Sequence, residues 1–93
     1  MKKLSIIEIK NDLKELKGWK LFNNTIEKEF QFKDFNEAMI FVNKIAKEAE
    51  KEQHHPDILI KYNKVTLTLS THSVKGITEK DIKLAKLIAN INI

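Results

Sequence analysis

A chain of 93 residues suits one compact domain spanning 1–93, with one modest core and no room for a second folding unit. A hydrophobic fraction of 42% beside a charged fraction of 32% excludes disorder, and the absence of cysteine excludes disulfides, thiolate metal sites and cysteine nucleophiles. The formal net charge of +4 admits an anionic partner, but lysines alternate with glutamates as on a solvated surface, which argues against nucleic acid.

The opening "MKKLSIIEIKNDLKELKG" reads as a short amphipathic helix. Ser5 and Glu8 form a capping-box pattern, and Ile6, Ile9, Leu13 and Leu16 share one face. Gly18 supplies a left-handed stop. Glu8 interrupts the apolar run, so the segment is a poor signal peptide, and no other run is long enough to span a bilayer. A cytoplasmic protein with no membrane contact is expected.

In "WKLFNNTIEKEFQF" two strand-like runs flank Asn23-Asn24, residues that tolerate the positive φ of a tight turn. Ile26, Lys28, Phe30 and Phe32 fall on one side of the second strand, with Lys28 out of place among apolar neighbours. From Asn36 the period becomes helical, with Ala38, Phe41, Val42, Ile45 and Ala49 forming the apolar stripe. Pro56 is expected to stop this helix and to push His55 into extended geometry.

"DILIKYNKVTLTLSTH" is a second hairpin, turning near Asn63-Lys64, with Tyr62 as a candidate cross-strand packing residue. Along its second strand His72 projects from the same face as Ser70. Thr78 and Asp81 then repeat the capping-box pattern and open a last helix through Ile82, Ala85, Ile88 and Ile91. The order α-β-β-α-β-β-α predicts an α+β two-layer sandwich, a four-stranded antiparallel sheet of two hairpins with helices on one face.

All three histidines fall where this topology converges. His54 and His55 lie at a helix C-terminus, where the macrodipole favours imidazolium. Glu50, four residues before His54, is placed to orient that ring. In the hairpin, the start of the first strand lies beside the end of the second, so "QHHP" and "STHS" meet at one rim. Taken singly, His54 reads equally as a helix cap, Asp81 as a capping-box residue, and Ser70 and Thr71 as strand formers.

Other chemistries fit less well. Three histidines suffice for zinc with an open fourth position, but adjacent His54 and His55 must then aim at one ion, and no H-x-x-x-H or H-E-x-x-H spacing is present. The two glycines are isolated, so there is no phosphate-cradling loop. No nucleophile-elbow pattern surrounds a serine.

The run Glu50-x3-His54-His55-Pro56-x5-Tyr62-x9-His72-x8-Asp81 resembles the signature of the pterin-4a-carbinolamine dehydratases. "YNKVTLTLSTHSVKGITEKDIKLA", "GWKL" and "FQFKDFNEAMIFV" extend the resemblance over nearly the whole chain. It implies dehydration of 4a-hydroxytetrahydropterin to quinonoid dihydropterin and water, in support of tetrahydropterin recycling, with no metal and no organic cofactor. It further implies that His54 and His72 are the acid–base pair and that His55 mainly holds the pterin. Gln53, Ser70, Thr71 and Ser73 would join the histidines in binding it, with Glu50, Pro56 and Asp81 in support.

Two positions depart from the family pattern. Gln53 stands where aspartate is common, and Ile58 where tryptophan is common; both bear on substrate affinity. The resemblance also implies a homodimer or homotetramer. It leaves two rival readings open: a non-catalytic dimerisation module that partners a transcription factor or hydroxylase, and pterin handling in another pathway such as molybdenum-cofactor metabolism. An RNA-binding sheet is disfavoured because "KVTLTLST" offers no aromatic for base stacking.

Overall fold

Three helices and four strands follow one another as expected in the computed structural model, which describes residues 1–93. Helix α1 spans Ile6–Leu13, strands β1 and β2 span Lys20–Phe22 and Thr25–Gln31, and helix α2 spans Phe35–Glu52. Strands β3 and β4 span Asp57–Lys61 and Lys64–Leu69, and helix α3 spans Glu79–Ala89. The strands form one antiparallel sheet in the order β1-β2-β4-β3, so the second hairpin joins the first through its later strand.

Strand alternation decides which face is covered. Val65, Leu67 and Leu69 of β4 and Ile26 of β2 are fully buried beneath the helices, whereas Thr66 and Thr68 turn to the open face. Ala38, Phe41, Ile45 and Ala49 complete the layer from α2, and Ile82, Leu84, Ala85 and Ile88 from α3. Burying each large aliphatic side chain contributes roughly 1.5–3 kcal/mol, so this shared core is the main stabilising term.

Lys28 occupies the inward position its spacing gave it without burying its charge. Its ammonium donates to the Lys17 carbonyl at 2.8 Å and lies 4.7 Å from the centre of the Phe30 ring. Both capping boxes form. Hydrogen bonds from the Ser5 backbone and hydroxyl hold the Glu8 carboxyl below the ordinary glutamate range.

Four local expectations are corrected. The first helix ends at Leu13 rather than reaching Gly18; short turns then carry the chain onward and still bury Leu16. Helix α2 stops before Pro56 exerts any effect. Gln53 adopts the left-handed conformation (φ 49°), with its N–H donating to Glu50 and the His54 N–H reaching back to Ala49. This paired closure normally uses glycine.

The second hairpin turns through Tyr62-Asn63, one residue earlier than expected. Tyr62 is exposed with φ 50°, so it is a turn residue rather than a cross-strand packing residue. Finally, β4 ends at Leu69 and His72 opens a single 3-10 turn, His72–Val74. The loop is clamped at its base by Thr71 and Gly76, whose backbones exchange hydrogen bonds.

Candidate functional site

The left-handed turn at Gln53 sets the direction of the two histidines that follow it. It reverses the chain out of α2 and holds the His54 backbone against Ala49, while the Gln53 side-chain amide donates to the Glu50 carbonyl at 2.7 Å. Adjacent residues then point to different partners.

His54 turns inward. Its Nε2 lies 2.5 Å from Oδ1 of Asp81, a carboxylate with 0% exposure, and the His54 side chain itself is only 11% exposed. The second carboxylate oxygen of Asp81 accepts from the Thr71 hydroxyl at 2.8 Å and from the Thr78 N–H at 2.9 Å. The Thr71 and Thr78 hydroxyls are 2.8 Å apart. A buried carboxylate needs such donors to offset desolvation, and Asp81 has three.

Asp81 therefore has two jobs. It closes the capping box of α3, and it anchors the imidazole of His54. Because a carboxylate only accepts, the shared proton belongs to Nε2 of His54, which leaves Nδ1 as the free ring atom.

His55 turns outward. Its Nε2 is 2.5 Å from Oε2 of Glu50, and both side chains are more than half exposed. The sequence placed Glu50 beside His54; the reversal at Gln53 delivers it to His55 instead. His72 sits at the start of its 3-10 turn and is exposed.

One open cavity of about 480 Å³ gathers these groups. His54, His55, His72, Ser70, Thr71 and Ser73 line it, together with Gln53 and Pro56. Glu50 and Asp81 stand outside the lining, behind the histidines they bind. Two lining residues went unnoticed in the sequence: Asp57, at the start of β3, and Lys80, in the first turn of α3. Only three-dimensional placement marks them, since neither belongs to a recognisable spacing.

A larger hollow of about 570 Å³ lies against β1 and β2, but its titratable side chains are only lysines and glutamates: Lys20, Glu27, Lys28 and Glu29. No group of three or more His, Asp or Glu side chains is arranged to hold a metal ion. The reason is visible in the rings, since His54 and His55 direct Nε2 to separate carboxylates. No helix is long and apolar enough to cross a membrane.

Imidazoles in a polar, solvent-reaching cavity, one of them backed by a buried carboxylate, suit proton transfer near neutral pH. Comparison with known proteins points the same way. Residues 2–91 match the profile described as pterin 4 alpha carbinolamine dehydratase. A protein of Sulfurisphaera tokodaii that bears that enzyme name provisionally is 51% identical over 95% of this chain and 95% of its own length. One from Thermosynechococcus vestitus, named in the same way, is 47% identical over 96% of this chain and 94% of its own.

Among solved structures, a transcriptional coactivator/pterin dehydratase from Brucella melitensis superposes with a TM-score of 0.91 at 40% identity, covering 95% of this chain and 96% of that one. A pterin dehydratase-like RuBisCO assembly factor of the alpha-carboxysome superposes with a TM-score of 0.62 at 20% identity, which is a likeness of fold alone.

Proposed function

The chain belongs to the pterin-4a-carbinolamine dehydratase family, and we propose that it is a hydro-lyase removing water from 4a-hydroxytetrahydropterin by histidine acid–base catalysis. The hydroxyl on C4a leaves as water once protonated. N5 gives up its proton, and its electron pair becomes the C4a=N5 double bond of the quinonoid dihydropterin. No electrons enter or leave, so the reaction needs only a proton donor and a proton acceptor on a bound pterin.

The observation that carries this reading is the coupling of His54 to the buried Asp81 at the wall of a cavity that also holds His72. With Nε2 committed to Asp81, His54 works through Nδ1, and His72 serves as its counterpart. His55, tethered to the exposed Glu50, holds the pterin alongside Gln53, Ser70, Thr71 and Ser73. Pro56 and Glu50 act in support.

The working molecule in this proposal is a homodimer or homotetramer of a one-domain chain. It acts in the cytoplasm and recycles tetrahydropterin.

The test is the dehydration assay itself. His54→Ala and His72→Ala should each lower kcat by about 10²-fold or more, the usual worth of a placed acid or base. His55→Ala should mainly raise KM. Wild-type rates in either of the first two variants would remove the assigned roles. The shared coactivator and dehydratase description of the Brucella relative supports a second reading, a protein-binding module on the same fold. Failure of the wild-type chain to accelerate dehydration would favour it, or a pterin role in another pathway.

A further inference from the structure

Asp57 and Lys80 supply the one carboxyl and the one amine side chain of the cavity lining, and neither belongs to an ion pair. Asp57 is the lining's only carboxylate, because Asp81 and Glu50 lie behind His54 and His55. Its direction is not free. As the first residue of β3 it is paired with Thr68 of β4, directly after Pro56 has fixed the chain's exit from the histidines. Yet the side chain accepts no hydrogen bond, and the neighbouring Thr68 hydroxyl is turned to Glu27 at 3.3 Å. An edge strand thus holds an exposed, unengaged carboxylate at the mouth of an acid–base site.

A 4-oxo pterin presents two adjacent donors, its 2-amino group and N3–H, in the guanidine-like spacing that a carboxylate accepts through both oxygens. The lysine, a donor only, cannot read that edge. The proposed reaction engages His54 and His72 at the ring-fusion carbon C4a and the neighbouring N5, across the pyrimidine ring from that edge. We infer that Asp57 is the specificity-determining residue that reads the 2-amino and N3–H edge of the pterin and so presents C4a to His54 and His72. This inference rests on the proposed pterin reaction and extends it. It makes the 2-amino group and N3–H the features by which the ring is selected and oriented.

The experiment crosses a side chain with a substrate group. Dehydration is measured for wild type and Asp57→Asn, with 4a-hydroxytetrahydropterin and with its analogue carrying hydrogen in place of the 2-amino group. A charged, two-point hydrogen bond predicts that Asp57→Asn lowers kcat/KM about 10- to 100-fold for the full pterin, mostly through KM. The analogue should be poor with wild type and no poorer with Asp57→Asn. A merely structural role would depress both substrates alike, and that result overturns the inference, as does an unchanged KM.

Calorimetric titration with dihydropterin, which keeps the same edge, separates the two readings. Wild-type binding without catalysis, weakened in Asp57→Asn, would sustain the role of Asp57 while removing the dehydratase assignment. Equal affinity of both proteins overturns the role of Asp57 alone, and no binding by wild type overturns both.

Discussion

Asp81 shows how one side chain can close a helix cap and hold a histidine ring at the same time. Its Oδ2 satisfies the Thr78 N–H that every helix start leaves orphaned and takes the Thr71 hydroxyl as well, while Oδ1 faces His54. Asparagine at this position cannot accept from all three donors, because its amide nitrogen must face one of them. Asp81→Asn should therefore cost about 1–3 kcal/mol of stability in denaturant unfolding, the usual penalty for an unmatched buried polar group. It should also lower kcat about 10- to 100-fold with KM nearly unchanged, as expected when a partner that orients a catalytic ring is removed. Loss of stability with kcat intact would reduce Asp81 to a cap. The sequence foretold the cap from the Thr78–Asp81 spacing, and the family signature included Asp81. The link to His54 was not legible, because the sequence assigned that partnership to Glu50. Helical i,i+4 reasoning fails there, since the helix ends at Glu52, two residues before His54.

At the scale of elements, periodicity carried most of the information. The alternation of Val65, Leu67 and Leu69 against Thr66 and Thr68 gave the covered face of β4, and the stripe from Ala38 to Ala49 gave that of α2. Chain reversals were less legible because backbone conformation there opposes residue preference. Gln53 and Tyr62 both take positive φ, where side chains other than glycine and asparagine are strained. Tyr62 recovers little by burial, being 66% exposed, whereas the following Asn63 anchors the turn by donating from its side-chain amide to the Phe32 carbonyl at 2.9 Å. Tyr62→Asn should relieve the strain and stabilise the protein by about 0.5–1 kcal/mol, raising the thermal midpoint by roughly 3–8 °C. Because β3 and β4 carry this turn to the end of the hairpin opposite His72, kcat should not follow. A lower midpoint would mean that the exposed ring contributes packing the strain argument omits.

For the whole molecule, the sheet order leaves β3 on an open edge, and its hydrophobic composition is poorly suited to water. Ile58 is 37% and Leu59 52% exposed, although Ile58 pairs with the buried Leu67 and extends the covered face. Monomeric proteins usually blunt such an edge with charge, proline or a bulge, and here only the flanking Asp57 and Lys61 do so. The other edge, β1, is three residues long and offers a shorter template. The homo-oligomer proposed above is therefore best built by β3 pairing with β3 of a second copy about a two-fold axis, which buries Leu59 and continues the sheet. Since β3 begins at Asp57, such a partner would run beside the histidine cavity and narrow its mouth. The double variant Ile58→Lys, Leu59→Lys places like charges across that axis and should sediment as a monomer at micromolar concentration, where the wild type sediments as a multiple. Its KM should rise while circular dichroism stays native, because neither side chain belongs to the buried core. A variant that keeps the wild-type mass excludes β3 as the contact and directs attention to Phe35 and Ile40, the exposed apolar residues of α2.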